Sequence, residues 1–187
     1  MIITTVFLDR DGVLNADSPD YILHPEQVRI LPGVPDAVRR FTDAGILLFI
    51  ISNQQAVGKG LMTSRCAEAI FQKVIDGAES AGGKITDHYY CPHRKEENCP
   101  CRKPGTGLFE KAEKDHDLKM EESVFIGDGS GDARAAERLG IPFYLVKQGW
   151  WKKTKAYCYE KGISYTLVRD LSAAAEEILK IDQERTK

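Results

Sequence analysis

Two aspartates that directly follow an apolar run are the residues in this chain best suited to chemistry. Asp9 and Asp11 come after the run at residues 6–8, and Gly12 follows them. In an open α/β sheet, ligands bind beyond the carboxyl ends of the strands, where side chains and free backbone N–H groups converge. A carboxylate pair there, with a glycine that allows a sharp turn, predicts a phosphate-transfer site.

Polar side chains recur where other apolar runs end. A second run, at residues 46–51, ends at Ser52, and a third, at residues 123–126, leads to Asp128 and Asp132. Between these two runs lies Lys103, directly before a predicted helix. In chain order the sequence therefore supplies a carboxylate pair, a hydroxyl, a lysine and a second acidic pair.

Each of these residue types has a direct use around a phosphoryl group. Asp9 can attack phosphorus in line and form an acyl phosphate. Asp11 is expected to protonate the leaving-group oxygen and then to deprotonate the attacking water, while Arg10 is expected to be a structural ion-pair partner. Ser52 would donate to a phosphate oxygen and Lys103 would neutralise its charge. Each residue also has a purely structural alternative. Asp9 could simply form a turn at the strand end, and Asp11 could form an Asx turn. Ser52 and Lys103 could be solvated surface residues.

An anionic nucleophile approaching an anionic phosphate needs positive charge. Hard carboxylate oxygens select Mg²⁺, which also bridges to phosphoryl oxygens. The expected ligands are Asp9, the main-chain carbonyl of Asp11, and Asp128. Asp132 could reach the same ion through water, and it could equally well cap the Ala-rich helix that it precedes.

The segment at residues 91–101 is a second candidate metal site. It offers three thiols and one imidazole, from Cys91, His93, Cys99 and Cys101. These are the ligand types and the number that tetrahedral Zn²⁺ requires. Disulfides are the alternative, although a reducing compartment and the closeness of Cys99 to Cys101 disfavour them. Four protein ligands leave no open position, so the zinc is expected to be structural and to stiffen the loop before Lys103.

The elements that must position these residues alternate along the chain. Short apolar runs predict strands near residues 2–8, 46–51, 85–90, 122–126, 142–146 and 165–168. Helical patterns begin near residues 35, 64, 107, 132 and 171. This alternation predicts an α/β fold, a Rossmann-like three-layer sandwich with a central parallel sheet. A length of 187 residues favours one domain, spanning 1–187.

Composition limits the partners. Hydrophobic residues make up 42% and charged residues 29% of the chain, and no apolar run approaches the ~20 residues of a membrane span. The net charge of −2 leaves no broad basic surface for nucleic acid. The start of the chain lacks the pattern of a secretory signal. We therefore expect a cytoplasmic monomer or weak homodimer that acts on a small phosphorylated metabolite, without nucleic-acid or membrane partners.

Together these motifs resemble the haloacid dehalogenase superfamily of phosphohydrolases, whose four motifs occur in this order with these residue types. The resemblance spans residues 9–132 and implies Mg²⁺-dependent hydrolysis through an aspartyl phosphate. Members often carry an inserted cap domain. Roughly forty residues separate Asp11 from Ser52, too few for an independent cap, so loops are expected to roof the site. Candidates for the roof are residues 16–27, 55–62 and the segment from residue 91.

Within the superfamily, the zinc-ligand segment and the run at residues 101–104 are similar to the branch that contains heptose-bisphosphate and histidinol-phosphate phosphatases. The runs at residues 9–15 and 53–60 favour the heptose members, and Gly129 stands where some of them have lysine. The resemblance implies removal of the 7-phosphate of D-glycero-D-manno-heptose 1,7-bisphosphate. The residues it implies for substrate binding are Asp17, Tyr21, Asn53, Gln54, Lys59 and Arg102. A signalling receiver domain is the alternative of another class, but it explains neither Asp11 nor the zinc-ligand segment.

Overall fold

The computed structural model describes residues 2–185, so Met1, Thr186 and Lys187 at the ends of the predicted domain lie outside the described residues. Within that range six parallel strands form one sheet in the order β3-β2-β1-β4-β5-β6. The strands are β1 (Thr5–Leu8), β2 (Leu47–Asn53), β3 (Asp87–Cys91), β4 (Ser123–Gly127), β5 (Phe143–Val146) and β6 (Thr166–Val168). Every strand predicted from the apolar runs is confirmed, with ends that differ by a few residues.

Helices connect the strands. They are α1 (Val34–Asp43), α2 (Gln55–Gly58), α3 (Ser64–Ala78), α4 (Gly107–His116), α5 (Ser130–Leu139), α6 (Trp151–Lys161) and α7 (Leu171–Arg185). Thr63 caps α3 by accepting a hydrogen bond from the Cys66 amide at 3.1 Å. Neither α2 nor α6 was predicted. The polar, aromatic sequence of α6 gives little apolar periodicity, and α2 is a single turn inside a segment expected to be loop.

The sheet separates two apolar layers, because successive side chains of a strand point to opposite faces. On one face, Val6 and Leu8 pack with buried residues of α1, α3 and α7. On the other, Phe7 packs with buried residues of α4, α5 and α6. The predicted three-layer sandwich with a parallel sheet is therefore confirmed. None of the described helices is long and apolar enough to cross a bilayer.

The strand order determines which edge of the sheet carries the candidate site. Leu8 at the end of β1 is in register with Ile50 on one side and with Ile126 on the other. The chain builds the sheet outward from β1 to β3 and then returns to add β4 on the opposite side of β1. Such a reversal of strand order leaves a crevice at the carboxyl ends of the central strands. The polar residues that follow β1, β2 and β4 all lie at this edge.

Candidate active site

Three carboxylates gather at the carboxyl edge of β1 and β4. Asp9 follows β1, Asp128 follows β4, and Asp132 lies in the first turn of α5. One carboxylate oxygen of each lies within 4.8 Å of the others. The cavity above them is also lined by Asp11 and Ser52, among others. The structure thus brings together residues that are up to 123 positions apart in the sequence.

Lys103 is buried between two of these carboxylates. Its Nζ lies 2.8 Å from Asp9 Oδ1 and 2.7 Å from Asp132 Oδ1, and it donates a hydrogen bond to the Ile51 carbonyl at 2.7 Å. Burial acts to lower the pKa of Lys103, but Asp132 and Asp9 raise it above its ordinary value. The ammonium group therefore stays charged beside the predicted nucleophile.

The position of Lys103 is set by β2. The Asn53 side chain accepts a hydrogen bond from the Lys103 amide at 3.0 Å and donates one to its carbonyl at 3.1 Å. Gln54 donates to Ser52 Oγ at 2.8 Å and to Asp11 Oδ2 at 3.1 Å. Asn53 and Gln54, which the resemblance implies for substrate binding, are thus bonded to neighbouring residues of the site.

Crowding of acidic groups changes their proton affinities. Burial raises the pKa of Asp9 to about 7 against the opposing effect of Lys103. Burial, with the charges of Asp9 and Asp132, raises the pKa of Asp128 to about 8. Clustered, buried carboxylate oxygens are a donor set that fits a hard divalent cation. Asp9, Asp128 and the main-chain carbonyl of Asp11 would hold Mg²⁺, which could supply the positive charge that phosphoryl transfer needs.

Asp132 has two roles in the structure. Its Oδ2 accepts a hydrogen bond from the Gly129 amide at 2.9 Å, which satisfies a backbone N–H at the start of α5. Its Oδ1 pairs with Lys103. Asp132 is therefore not the N-cap residue that the sequence predicted, which is Gly129, but it bonds the N-cap amide from the third position of α5, and it also belongs to the carboxylate cluster.

Asp11 has a buried cationic partner. Arg10 Nη2 donates to both carboxylate oxygens of Asp11, at 2.8 and 2.7 Å, and its Nε donates at 3.1 Å. Asn15 Nδ2 donates a further hydrogen bond to Asp11 Oδ1 at 2.9 Å. The Arg10 side chain is only 1% exposed, and its guanidinium lies 5.1 Å from the centroid of the Phe71 ring. The ion-pair role predicted for Arg10 is therefore directed at Asp11 itself, and it fixes the orientation of that carboxylate.

The remaining predicted substrate residues lie at different places around the site. Asp17 lines the central cavity with Asp9, Asp11 and Asp128. Arg102 lines an adjoining basic cavity together with Lys103. Tyr21 and Lys59 contact each other: Lys59 Nζ donates to the Tyr21 hydroxyl at 3.0 Å. Their place in substrate binding stays a prediction.

The sequence did not indicate that the turn between β5 and α6 belongs to the site. The Trp150 amide donates a hydrogen bond to Asp128 Oδ2 at 2.9 Å. Gly149 adopts φ 46°, and a Cβ there would collide with the same oxygen, so the close approach requires glycine. The signal available in the sequence was the position of the Gly149–Trp150 pair, shortly after the apolar strand that ends at Val146.

The zinc-ligand segment forms a compact cluster beside the site. Cys101 Sγ lies 3.3 Å from both Cys91 Sγ and Cys99 Sγ, and His93 Nδ1 lies 3.2 Å from Cys101 Sγ. Disulfide sulfurs would be about 2.05 Å apart, and all the cysteines are free thiols, so the disulfide alternative is wrong. Three sulfurs and one nitrogen at mutual contact fit a tetrahedral ion, and the cluster could hold structural zinc.

Comparison with known proteins matches this geometry. A family model described as HAD-hydrolase-like matches residues 100–174. The D-glycero-β-D-manno-heptose-1,7-bisphosphate 7-phosphatase of Pseudomonas putida is 34% identical over 176 residues, which cover 93% of this chain and 98% of the relative.

Two solved structures share the whole fold. The crystal structure of the D,D-heptose 1,7-bisphosphate phosphatase from B. bronchiseptica, complexed with magnesium and phosphate, superposes with a TM-score of 0.88 at 30% identity and covers 96% of this chain and 99% of its own. The corresponding enzyme from Burkholderia thailandensis gives a TM-score of 0.72 at 26% identity, covering 94% and 98%. The order of motifs, the site geometry and these similarities lead to one conclusion: the chain belongs to the haloacid dehalogenase-like family of hydrolases.

Proposed function

We propose that the protein is a Mg²⁺-dependent phosphatase that removes the 7-phosphate of D-glycero-D-manno-heptose 1,7-bisphosphate. The observation that carries the reaction type is the placement of Lys103 between Asp9 and Asp132, next to Asp128, at the strand-order reversal of the sheet. The names of the similar proteins support the choice of substrate.

The first step transfers the phosphoryl group to the protein. A carboxylate oxygen of Asp9 forms a bond to phosphorus as the bond between phosphorus and the sugar oxygen breaks. The departing oxygen keeps the electron pair and takes a proton from the carboxyl group of Asp11. Lys103 and the Ser52 hydroxyl stabilise the charge on the phosphoryl oxygens. The products are an aspartyl phosphate at Asp9 and the free sugar hydroxyl.

The second step regenerates the enzyme. Asp11, now a carboxylate, takes a proton from water as the water oxygen bonds to phosphorus. The bond between phosphorus and the Asp9 oxygen breaks, and inorganic phosphate leaves. Asp9 is again a carboxylate and Asp11 again carries a proton, so the cycle balances.

The proposal includes a cytoplasmic location and a monomer or weak homodimer. Free thiols that are to bind zinc need a reducing compartment. Size-exclusion chromatography with light scattering at several concentrations tests the oligomeric state.

Side-by-side kinetics test the substrate. The panel comprises both anomers of the heptose bisphosphate, histidinol phosphate and p-nitrophenyl phosphate, each with Mg²⁺. We expect kcat/KM for one heptose anomer to exceed that for histidinol phosphate by about 100-fold or more. A preference for histidinol phosphate would instead identify the protein as a histidinol-phosphate phosphatase. A stable phosphoprotein without turnover would indicate a receiver module.

Asp9→Asn tests the nucleophile. The amide cannot form an acyl phosphate, so hydrolysis is expected to fall by more than about 1,000-fold. The melting temperature is expected to stay near that of the wild type, because the amide fills the same volume and Asp132 still pairs with Lys103. Activity retained within a few-fold would remove Asp9 from this role.

A further inference from the structure

Trp150 is a large aromatic side chain exposed at the mouth of the site. It is 54% exposed and belongs to neither apolar core, although it follows a buried strand. It lines the central cavity together with Asp9 and Asp128. It also lines an adjoining cavity of about 620 Å³ with Asp17 and Lys153. Small-molecule sites typically measure about 300–1,000 Å³, so the adjoining space can hold part of a substrate.

Trp150 is held by a hydrogen bond from its backbone and by a contact to its ring. Its backbone amide is bonded to Asp128 Oδ2, which fixes the residue relative to the reacting phosphoryl group. Asp17 lines the same two cavities as Trp150. Lys153 Nζ lies 4.6 Å from the ring centroid. The hydrogen bond fixes the backbone of Trp150 and the Lys153 contact orients its ring, so binding would cost little side-chain entropy.

The chemistry of an indole face selects its ligand. The face of an aromatic ring carries partial negative charge and is apolar. A sugar ring presents C–H groups, which are apolar and slightly positive, on one face and hydroxyl groups around its edge. Asp17 and Lys153, beside the indole, provide an acceptor and a donor for hydroxyl or anionic groups.

We propose that Trp150 is the platform on which the sugar ring of the substrate packs while the scissile phosphate lies at Asp9. The proposal rests on the proposed function, since it names a specificity residue for that reaction. It also changes the predicted roof of the site: the turn between β5 and α6 covers the cavity beside Asp17.

The adjacent Trp151 offers a matched control. It is half-buried and packs against the core formed with α5 and α6. It lines the adjoining cavity but not the central one, so its replacement separates the effect of the Trp150 ring from a general change in that cavity. The chain has two tryptophans, so each can be replaced singly to assign fluorescence changes. The backbone amide of residue 150 is unchanged by substitution, which keeps the hydrogen bond to Asp128 available.

The first test compares substrates with and without a ring. The quantity compared is kcat/KM for the heptose bisphosphate divided by kcat/KM for glycerol phosphate. We expect Trp150→Ala to lower this ratio by about tenfold, mainly by raising KM for the heptose bisphosphate. Trp150→Phe is expected to retain most of the ratio, and Trp151→Phe all of it. An unchanged ratio in Trp150→Ala, or an equal drop in Trp151→Phe, would overturn the platform.

A second test needs no turnover and no alanine variant. Asp9→Asn protein with Mg²⁺ is titrated with heptose bisphosphate while tryptophan fluorescence is recorded. The signal change is expected to persist in the added Trp151→Phe variant and to disappear in the added Trp150→Phe variant. Persistence in the latter would contradict the proposal. Failure of the wild type to hydrolyse any sugar phosphate would instead sink the proposed function, so the two failures are distinguishable.

Discussion

The charge balance of the site depends on Lys103. This residue is fully buried and pairs with two carboxylates, Asp9 and Asp132. Removing one member of a buried ionic cluster leaves the others without compensation, which costs more than the cluster contributes when intact. Lys103 therefore contributes to the structure of the site, and the catalytic role proposed for it rests on the same two ion pairs.

Lys103→Met tests this balance. With both carboxylates unpaired, the free energy of unfolding in magnesium-free buffer is expected to fall by about 3–5 kcal/mol, and activity to be lost. Lys111→Met is the control, because Lys111 Nζ also lies 2.7 Å from a carboxylate, that of Asp115, but at the surface. Urea denaturation of the variants measures the difference. Equal effects of the two substitutions would contradict the assignment.

Asp128 makes the stability of the magnesium-free protein depend on pH. Its pKa is about 8 in the folded chain and 3.8 without the fold. Between these values the folded state binds more protons than the unfolded state, so stability falls as pH rises. Asp128→Asn removes this titration and keeps an acceptor for the Trp150 amide.

In magnesium-free buffer, Asp128→Asn is therefore expected to be more stable than the wild type at pH 8 by about 1–3 kcal/mol, with no such gain near pH 4. Denaturant unfolding at the two pH values checks this. A gain of equal size at both values would mean that another effect of the substitution is responsible. Added Mg²⁺ should stabilise the wild type more than the variant.

At the scale of elements, the zinc-ligand segment is bonded to α2 and to Gln54, the residue that joins β2 to α2. The Gln54 amide donates to the Cys91 carbonyl at 2.8 Å, and the Gly58 amide donates to the Pro92 carbonyl at 2.9 Å. Asn53 holds the Lys103 backbone from the same strand. Metal binding at the four ligands thus acts directly on the loop that carries the site lysine.

Cys99→Ala is expected to lower zinc content, melting temperature and kcat together, because the open segment no longer fixes Lys103. Elemental analysis, thermal unfolding and steady-state kinetics measure the three quantities. Cys66→Ala is the control, because Cys66 lies outside the cluster. This variant should keep its full zinc content. One full equivalent of zinc in Cys99→Ala would refute the ligand set.

At the scale of the whole molecule, both helical layers pack on a single sheet. We therefore expect the chain to unfold as one domain, as its length also predicts. Calorimetry of the zinc-loaded protein should give one transition with equal calorimetric and van't Hoff enthalpies. Two resolved transitions would indicate separate units.

How far the sequence predicts the structure differs from element to element. The strands were predictable because a parallel sheet buried on both faces requires continuous apolar runs. Helices α1 and α3 show apolar periodicity, and α3 also has a side-chain cap, Thr63. By contrast, α6 was not predictable, since its sequence is polar and aromatic, and its position follows from packing on β5 and α5.

The sequence by itself determined which chemical groups are available and their order: the Asp9–Asp11 pair, Ser52, Lys103, Asp128 and the zinc ligands. Only the tertiary structure decided their partners. It placed Arg10 over Phe71, attached Lys103 to Asn53, and brought Trp150 to Asp128. The physical reason is that strand order sets which residues meet at the sheet edge, and contacts between residues tens of positions apart leave no periodic signal in the chain.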